Sequence, residues 1–179
     1  MNRTAFRLLL VVLLLPPVAG LAFVTAGPER VYAWIAGPAD QGNVDFGRLE
    51  RRGTPTDSLA CSADLCGASV DLVLPVYDES PALLLQRLDA VVLEDTASLQ
   101  RVDYRSRPHY RRYVARTPMM RFADTIDAEA RALPGGSGLM LYGRSQLGVS
   151  DWGVNRARQR NWAAALAILA PPSVLPPTS

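Results

Sequence analysis

Residues 120–145, MRFADTIDAEARALPGGSGLMLYGRS, carry the clearest structural signal in the chain. Their first half alternates between two sets of side chains, Phe122, Asp124, Ile126, Ala128 and Ala130 in one set and Ala123, Thr125, Asp127, Glu129 and Arg131 in the other. This period of two predicts a β-strand in a sheet with one solvent-exposed face. Because the glycine-rich residues 134–138 have turn chemistry, we expect residues 139–145 to return as an antiparallel strand.

The segments on either side of this hairpin predict one further strand and two helices. Residues 69–77, SVDLVLPVY, predict a strand, and Ser80 followed by Pro81 predicts the start of a helix. That helix has one apolar face, formed by Leu84, Leu88, Val91 and Val92. A second helix repeats apolar residues at helical spacing, at Trp162, Ala165, Leu166 and Leu169. The predicted fold is therefore α+β, a largely antiparallel sheet packed against two helices.

The N-terminus has the features of an export segment. Arg3 and Arg7 precede the uncharged residues 8–26, an arrangement typical of segments whose amino end stays in the cytoplasm. About twenty apolar residues are enough to span a bilayer, which favours an uncleaved membrane anchor. Small residues between positions 20 and 26 also suit a signal peptidase, which would release the protein into the periplasm. In both cases we expect the domain in the cell envelope, outside the cytoplasm.

Composition divides the chain into four predicted segments. They are a signal peptide or transmembrane anchor at residues 1–27, a Gly/Pro-rich linker at 28–60, a single α+β domain at 61–170 and a disordered tail at 171–179. The membrane is thus a predicted partner, through the N-terminal segment.

The two cysteines, Cys61 and Cys66, lie close together in CSADLCG. In an oxidising compartment such a pair predicts a local disulfide. A redox-active pair is the alternative, although the two-residue spacing of thioredoxin-type motifs is absent. No metal site is predicted, because the chain offers only these two thiols and one histidine, His109.

Charge and composition exclude several classes of function. The formal net charge of +2 is too small to predict a nucleic-acid partner. The sequence contains 19 arginines and no lysine, which excludes lysine-dependent chemistry such as Schiff-base formation. No cofactor fingerprint is found, and no cofactor is predicted. The arginines between Arg101 and Arg121 form either a solvated sheet face or a surface for an anionic lipid or envelope polymer.

Further polar residues lie where the last strand meets the last helix, in GRSQLGVSDWGVNRARQRNW, residues 143–162. Asp151 suits a helix N-terminus, where a carboxylate can accept hydrogen bonds from unpaired amide groups. We expect Arg144 or Arg156 to pair with Asp151, or with Asp124 of the neighbouring strand. The candidate ligand-binding residues are Arg116, Asp124, Arg144, Ser145, Asp151, Asn155 and Arg156.

Three functions are compatible with such a cluster. It fixes the last helix on the sheet, or one of its arginines receives an anionic ligand beside the helix start. In the third, a small hydrolase-type enzyme uses Asp124 and Asp151 as acid and base with arginine stabilisation. The sequence around Ser145, GRSQL, lacks the second glycine of a nucleophile elbow, and no catalytic residue is assigned. We predict a non-catalytic exported or membrane-anchored module that binds an anionic ligand or an envelope partner, with the hydrolase as the alternative.

Two segments, YVARTPMMRFADTIDAEA and LYGRSQLGVSDWGVNRARQRNW, resemble the bacterial and plastid family catalogued as domain of unknown function 1499. The resemblance extends from about Asp71 to Leu169, and its most specific part is the Gly-x-x-Asp-x-Gly-x-Asn-Arg run from Gly148 to Arg156. It implies the same fold and an envelope setting. Because the activity of the family is unknown, the resemblance implies no catalytic residue.

Overall fold

The computed structural model describes residues 3–63, 65–67, 69–95, 98–104, 106–170 and 172–173. The chain forms two compact units, Met1–Pro38 and Ala39–Ser179. Of the predicted disordered tail, residues 171 and 174–179 lie outside the described residues, and the other two are ordered: Pro172 forms an antiparallel bridge with Tyr77, and the amide of Ser173 donates to the carbonyl of Val76 at 2.7 Å.

The first unit consists of two helices. α1 (Arg3–Ala26) contains the whole uncharged stretch, and α2 (Pro28–Ala36) follows it after Gly27, whose φ is 82°. Among the described residues, no single helix has both the length and the apolar character needed to cross a membrane. Residues Leu10–Ala26 and α2 reach the required length and apolar character only when they are taken together, and the chain bends by 114° between them.

The second unit is built on a six-stranded sheet. Its strands are β1 (Asp57–Ser62), β2 (Leu72–Leu74), β3 (Ser98–Arg101), β4 (Tyr110–Arg116), β5 (Ala123–Leu133) and β6 (Gly136–Ser145). They are arranged in the order β2-β1-β6-β5-β4-β3, and every neighbouring pair is antiparallel except β1 and β2. α3 (Pro81–Leu93) and α4 (Val154–Leu169) pack on one face of this sheet. The predicted α+β fold, with a largely antiparallel sheet and two helices, is confirmed.

The predicted hairpin is formed by β5 and β6. The two strands pair from Asp124 opposite Ser145 to Leu133 opposite Gly136, with a two-residue turn between them. Gly136 has a φ of 148°, and a Cβ at this position would lie 2.0 Å from the carbonyl oxygen of Tyr77. Only glycine avoids this overlap, so the turn chemistry and the close packing of the neighbouring chain both require it.

α3 is attached to the sheet by the apolar face that the sequence predicts, and α4 by only part of its predicted face, because Leu169 is 40 % exposed and Ala165 is partly buried. Ser80 caps α3 by accepting a hydrogen bond from the amide of Leu83 at 3.4 Å, and Pro81 occupies the first helical position. The predicted face of α3 is buried, together with Trp162 and Leu166 of α4. Burial of these side chains against the central strands supplies the main hydrophobic core.

The opposite face of the sheet is also buried, so the prediction of a solvent-exposed face is wrong. Thr125 and Asp127, polar residues of the alternating strand β5, are fully buried. Residues 39–49, predicted as linker, cover this face, and their Val44 and Phe46 pack against apolar side chains of β1 and β6. The alternating pattern reports only that every second side chain is polar, and here those side chains bond to protein rather than to water. The compact unit accordingly begins at Ala39, well before the predicted domain start at residue 61.

The predicted disulfide between Cys61 and Cys66 is confirmed, with an S–S distance of 2.09 Å. Cys61 lies on β1 and packs in the apolar cluster beneath residues 39–49. The bridge therefore fastens the turn after β1 to the covered face of the sheet.

Candidate functional site

A cleft of about 260 Å³ opens where β5, β6 and α4 meet. Two loops border it, residues 117–122 between β4 and β5 and residues 146–153 between β6 and α4. Apolar side chains dominate its walls, with Phe122, Leu147, Trp152 and Val154 among them. The buried Asp124 and Ser145, which face each other at the ends of the hairpin strands, form its floor.

Four buried side chains beneath the cleft form a closed ring of hydrogen bonds. Asp124 accepts from Ser145 Oγ at 2.6 Å and from Arg158 Nη1 at 3.0 Å. Arg158 Nη1 also donates to Asn155 Oδ1 at 3.0 Å, and Asn155 Nδ2 donates to Ser145 Oγ at 3.2 Å. Gly143 makes room for the ring, since a Cβ there would lie 2.5 Å from Asn155 Oδ1. This Asp124–Arg158 ring fixes the start of α4 on the sheet, as the first of the three hypotheses requires.

Asp151 serves the N-terminus of α4, as predicted. Its Oδ1 accepts a hydrogen bond from the amide of Gly153 at 2.8 Å, and its Oδ2 accepts one from the amide of Asn155 at 3.1 Å. These amides have no partner inside the helix, and a carboxylate near them also interacts favourably with the helix dipole.

The predicted pairing of Arg144 or Arg156 with Asp151 or Asp124 is wrong. Arg144 points to the opposite face of the sheet, because it is the neighbour of Ser145 on a strand whose successive side chains alternate between faces. Arg156 is exposed, and its Nη2 donates to the backbone carbonyl of Asp71 at 3.0 Å. Of the other candidates, Asp124, Ser145 and Asn155 meet in the ring, and Arg116 ends β4 just before the cleft loop.

Sequence reasoning missed Arg158, the arginine that does pair with Asp124. A signal was present in the spacing of α4, because Asn155, Arg158 and Trp162 recur at intervals of three and four residues. Such positions share one face of a helix, and Trp162 identifies that face as the buried one. The same spacing assigns Arg156 to the exposed side.

The covered face holds a second polar network, centred on Asp127. Asp127 accepts hydrogen bonds from Tyr110 Oη and from Arg144 Nη2, the latter at 2.9 Å. Arg144 Nη2 also donates to the carbonyl of Gly42 at 2.5 Å, which ties residues 39–49 to the sheet. Burial raises the pKa of Asp127 to about 6, and the hydrogen bonds and positive charges around it offset only part of that effect.

Arginines of the basic stretch 101–121 are neutralised by carboxylates of the protein itself. The pairs are Arg101–Asp103 at 2.7 Å, Arg107–Glu129 at 2.7 Å, Arg111–Asp89 at 3.0 Å and Arg112–Asp40 at 2.7 Å. They connect the stretch to α3, β5 and residues 39–49. This arrangement differs from a solvated sheet face, because most of the side chains of β4 are buried.

Both cleft loops carry exposed apolar side chains. Met119, Val149 and Trp152 have 86, 83 and 92 % of their surface exposed. Arg121 and Trp152 have φ values of 58° and 55°, and no other non-glycine residue in the described part of the chain has a positive φ. Such a conformation costs about 1–3 kcal/mol per residue and is concentrated at binding and active sites. Backbone strain and apolar exposure therefore coincide at this cleft.

The carboxylates of the cleft are engaged in structural hydrogen bonds. Asp124 is bonded through both oxygens within the ring, and Asp151 is bonded through both oxygens to backbone amides. Across the described ranges, no group of three or more His, Cys, Asp or Glu side chains is placed to hold a metal ion. The arrangement provides a shaped apolar cavity above a hydrogen-bonded polar floor.

The profile of a family described as Protein of unknown function (DUF1499) matches residues 69–166, more than half of the 179 residues. The chain belongs to the DUF1499 family. The family match contains the hairpin, the Asp124–Arg158 ring and both cleft loops. It confirms the family that the two sequence segments resemble, over nearly the same part of the chain. No curated protein and no solved structure matches the chain.

Proposed function

We propose that the protein is a membrane-anchored binding module, exported so that its second unit lies outside the cytoplasm. Its cleft binds an apolar group of an envelope partner. The observation that carries this proposal is the coincidence of exposed apolar side chains and strained backbone around one cavity. A concave, largely apolar and preformed cavity is the usual form of a binding site.

Two features support export. The uncharged residues 8–26 follow Arg3 and Arg7, which is the arrangement of a segment inserted with its amino end in the cytoplasm. The Cys61–Cys66 disulfide suits an oxidising compartment such as the periplasm. A reporter enzyme that is active only outside the cytoplasm should be active when it is fused after residue 179. Activity of a cytoplasmic reporter at the same position would contradict export.

The polar groups beneath the cleft support binding rather than turnover. A general acid or base needs a carboxylate that can exchange a proton with substrate, whereas Asp124 bonds to Arg158 and Ser145. The hypothesis that one arginine of the cluster receives an anion has no support at Arg144, because this arginine is paired with the buried Asp127. We therefore assign binding to the cleft and not to Arg144.

Site-specific photo-crosslinking in intact cells tests the assignment. A photoreactive amino acid at Val149 should form an adduct, whereas the same group at Ile168, which is also 83 % exposed but lies near the end of α4, should not. Val154→Trp narrows the cleft from its wall and should lower the yield of the adduct at position 149. An equal yield at positions 149 and 168, or a yield at position 149 that Val154→Trp leaves unchanged, would show that the cleft is not the binding site.

A further inference from the structure

We propose that the two cleft loops insert into the interfacial region of an anionic bilayer. Met119, Val149 and Trp152 enter the headgroup region, and arginines beside the loops contact lipid phosphates. This inference rests on the proposed function, since it needs the exported, membrane-anchored protein and names the partner of the same cleft.

The exposed apolar residues lie on two short loops rather than across an extended face. The first loop is closed on itself, because the amide of Thr117 donates to the carbonyl of Phe122 and the amide of Phe122 donates to Thr117 Oγ1, both at 3.0 Å. A specific protein interface uses about 800 Å² and about 20–30 residues from each partner, far more than two such loops offer. Insertion into a membrane interface needs only a few apolar residues, and tryptophan is enriched at that level.

The charges beside the loops complement an anionic lipid surface. Arg116 and Arg121, both partly buried, bracket residues 117–120 of the first loop, and the exposed Arg156 lies in the first turn of α4, just after the second loop. Of the two carboxylates that line the cleft, Asp124 is buried in the ring and Asp151 accepts two backbone amides. A guanidinium group matches the geometry of a phosphate, and each basic residue near an anionic surface adds attraction that salt weakens.

The cavity between the loops fits the same occupant. Its volume of about 260 Å³ lies below the roughly 300–1,000 Å³ of sites that enclose a drug-sized ligand. The apolar walls formed by Phe122, Leu147 and Val154 can contact a few methylene groups of an acyl chain once the loop residues have entered the interface.

Fluorescence of Trp152 in the full chain reconstituted into vesicles tests the inference. Trp34→Phe removes the other exposed tryptophan, and Trp162 is only 2 % exposed. In vesicles that contain phosphatidylglycerol, we expect a blue-shifted emission, quenching by lipids brominated near the headgroup end of the acyl chain, and weak quenching by aqueous acrylamide. Added salt should reverse these changes in part.

Three controls make the reading specific. In the Trp34→Phe background, Trp152→Phe must remove the quenchable signal. With both of these changes in place, Ile168→Trp offers a tryptophan at another highly exposed position, far along α4, and its emission should stay unquenched by bromolipid. Arg121→Asn combined with Arg156→Gln should lower the quenching in anionic vesicles towards the level in pure phosphatidylcholine vesicles. Asparagine is chosen for position 121 because it tolerates the left-handed conformation.

Either of two results overturns the inference. Trp152 emission that is solvent-like and unquenched by bromolipid excludes insertion. Equal quenching in anionic and in pure phosphatidylcholine vesicles excludes the assigned role of the arginines. If the crosslinker at Val149 captures a protein while Trp152 stays in water, the proposed function stands and the lipid inference fails. If the crosslinker forms no cleft-dependent adduct at all, the proposed function itself fails.

Discussion

Arg158 reaches from the second turn of α4 to Asp124 at the start of β5, and its Nη1 lies 3.0 Å from Asp124 Oδ2. Both side chains are buried, and Arg158 Nε also lies 3.9 Å from Asp95 Oδ2. The pair lies directly beneath the cleft, so the same contact that holds the last helix on the sheet also sets the position of the loop that precedes it.

Removing the guanidinium of Arg158 should destabilise the fold strongly. Arg158→Ala leaves Asp124 buried without its ionic partner, and breaking a buried pair in this way costs about 3–5 kcal/mol. Arg156→Ala is the matched control two residues away. Arg156 is exposed and donates only to a carbonyl, so its replacement should change the free energy of unfolding by less than about 0.5 kcal/mol. Equal losses in chemical denaturation of the two variants would contradict the assignment.

The space that Gly143 leaves for the side chain of Asn155 should be as important for stability as the hydrogen bonds of Asn155. Gly143→Ala places a methyl group 2.5 Å from Asn155 Oδ1, so the buried amide must move and the ring must open. We expect a loss of about 1–3 kcal/mol, in the range of overpacked cores. Gly53→Ala is the control, because nothing lies within 4 Å of the added methyl group there. Thermal unfolding of both variants measures the difference, and a Gly143→Ala protein as stable as the control would contradict the close packing.

The raised pKa of Asp127 predicts a pH dependence of stability. Its folded value of about 6 lies above its ordinary value of 3.8, so the folded state holds a proton that the unfolded chain releases between these pH values. The stabilisation is fully present below about pH 4 and is lost as pH rises through 6, with an upper size on the order of 3 kcal/mol.

Asp127→Asn replaces the titrating carboxyl group with an amide that does not titrate. The free energy of unfolding of the wild type minus that of this variant should therefore fall between pH 4 and pH 6 and stay flat above pH 7. The contributions of Asp40 and Asp57 cancel in this comparison. Burial acts to raise the pKa of each, yet the hydrogen bonds and charges of Arg112 and Arg51 leave both pKa values lowered. A difference that is constant over the whole range would contradict the raised pKa.

The elements that could be predicted from the sequence are those with local signals. The β5–β6 hairpin follows from strand alternation and a glycine turn, and α3 follows from Ser80, Pro81 and an apolar face. The covered second face could not be predicted in this way. Thr125 and Asp127 alternate with apolar residues in the same manner whether water or a distant segment satisfies them.

The candidate site shows the same limit. Asp124, Ser145 and Asn155 were identified, because strand ends and helix starts concentrate polar side chains at a junction. The choice of arginine was wrong, since Arg144 and Ser145 are adjacent on a strand and must point to opposite faces. The apolar character of the cleft depends on two loops brought together from different parts of the chain, which no local pattern contains.

A double-mutant cycle on the buried pair tests most directly whether the ring fixes α4 on the sheet. The free energy of unfolding is measured for the wild type, Asp124→Asn, Arg158→Gln and the double variant. Our account predicts that the two changes are not additive, with a coupling energy of at least about 1 kcal/mol, as for residues in one buried network. Additive losses would show that Asp124 and Arg158 act independently, and the ring would not be what holds the last helix in place.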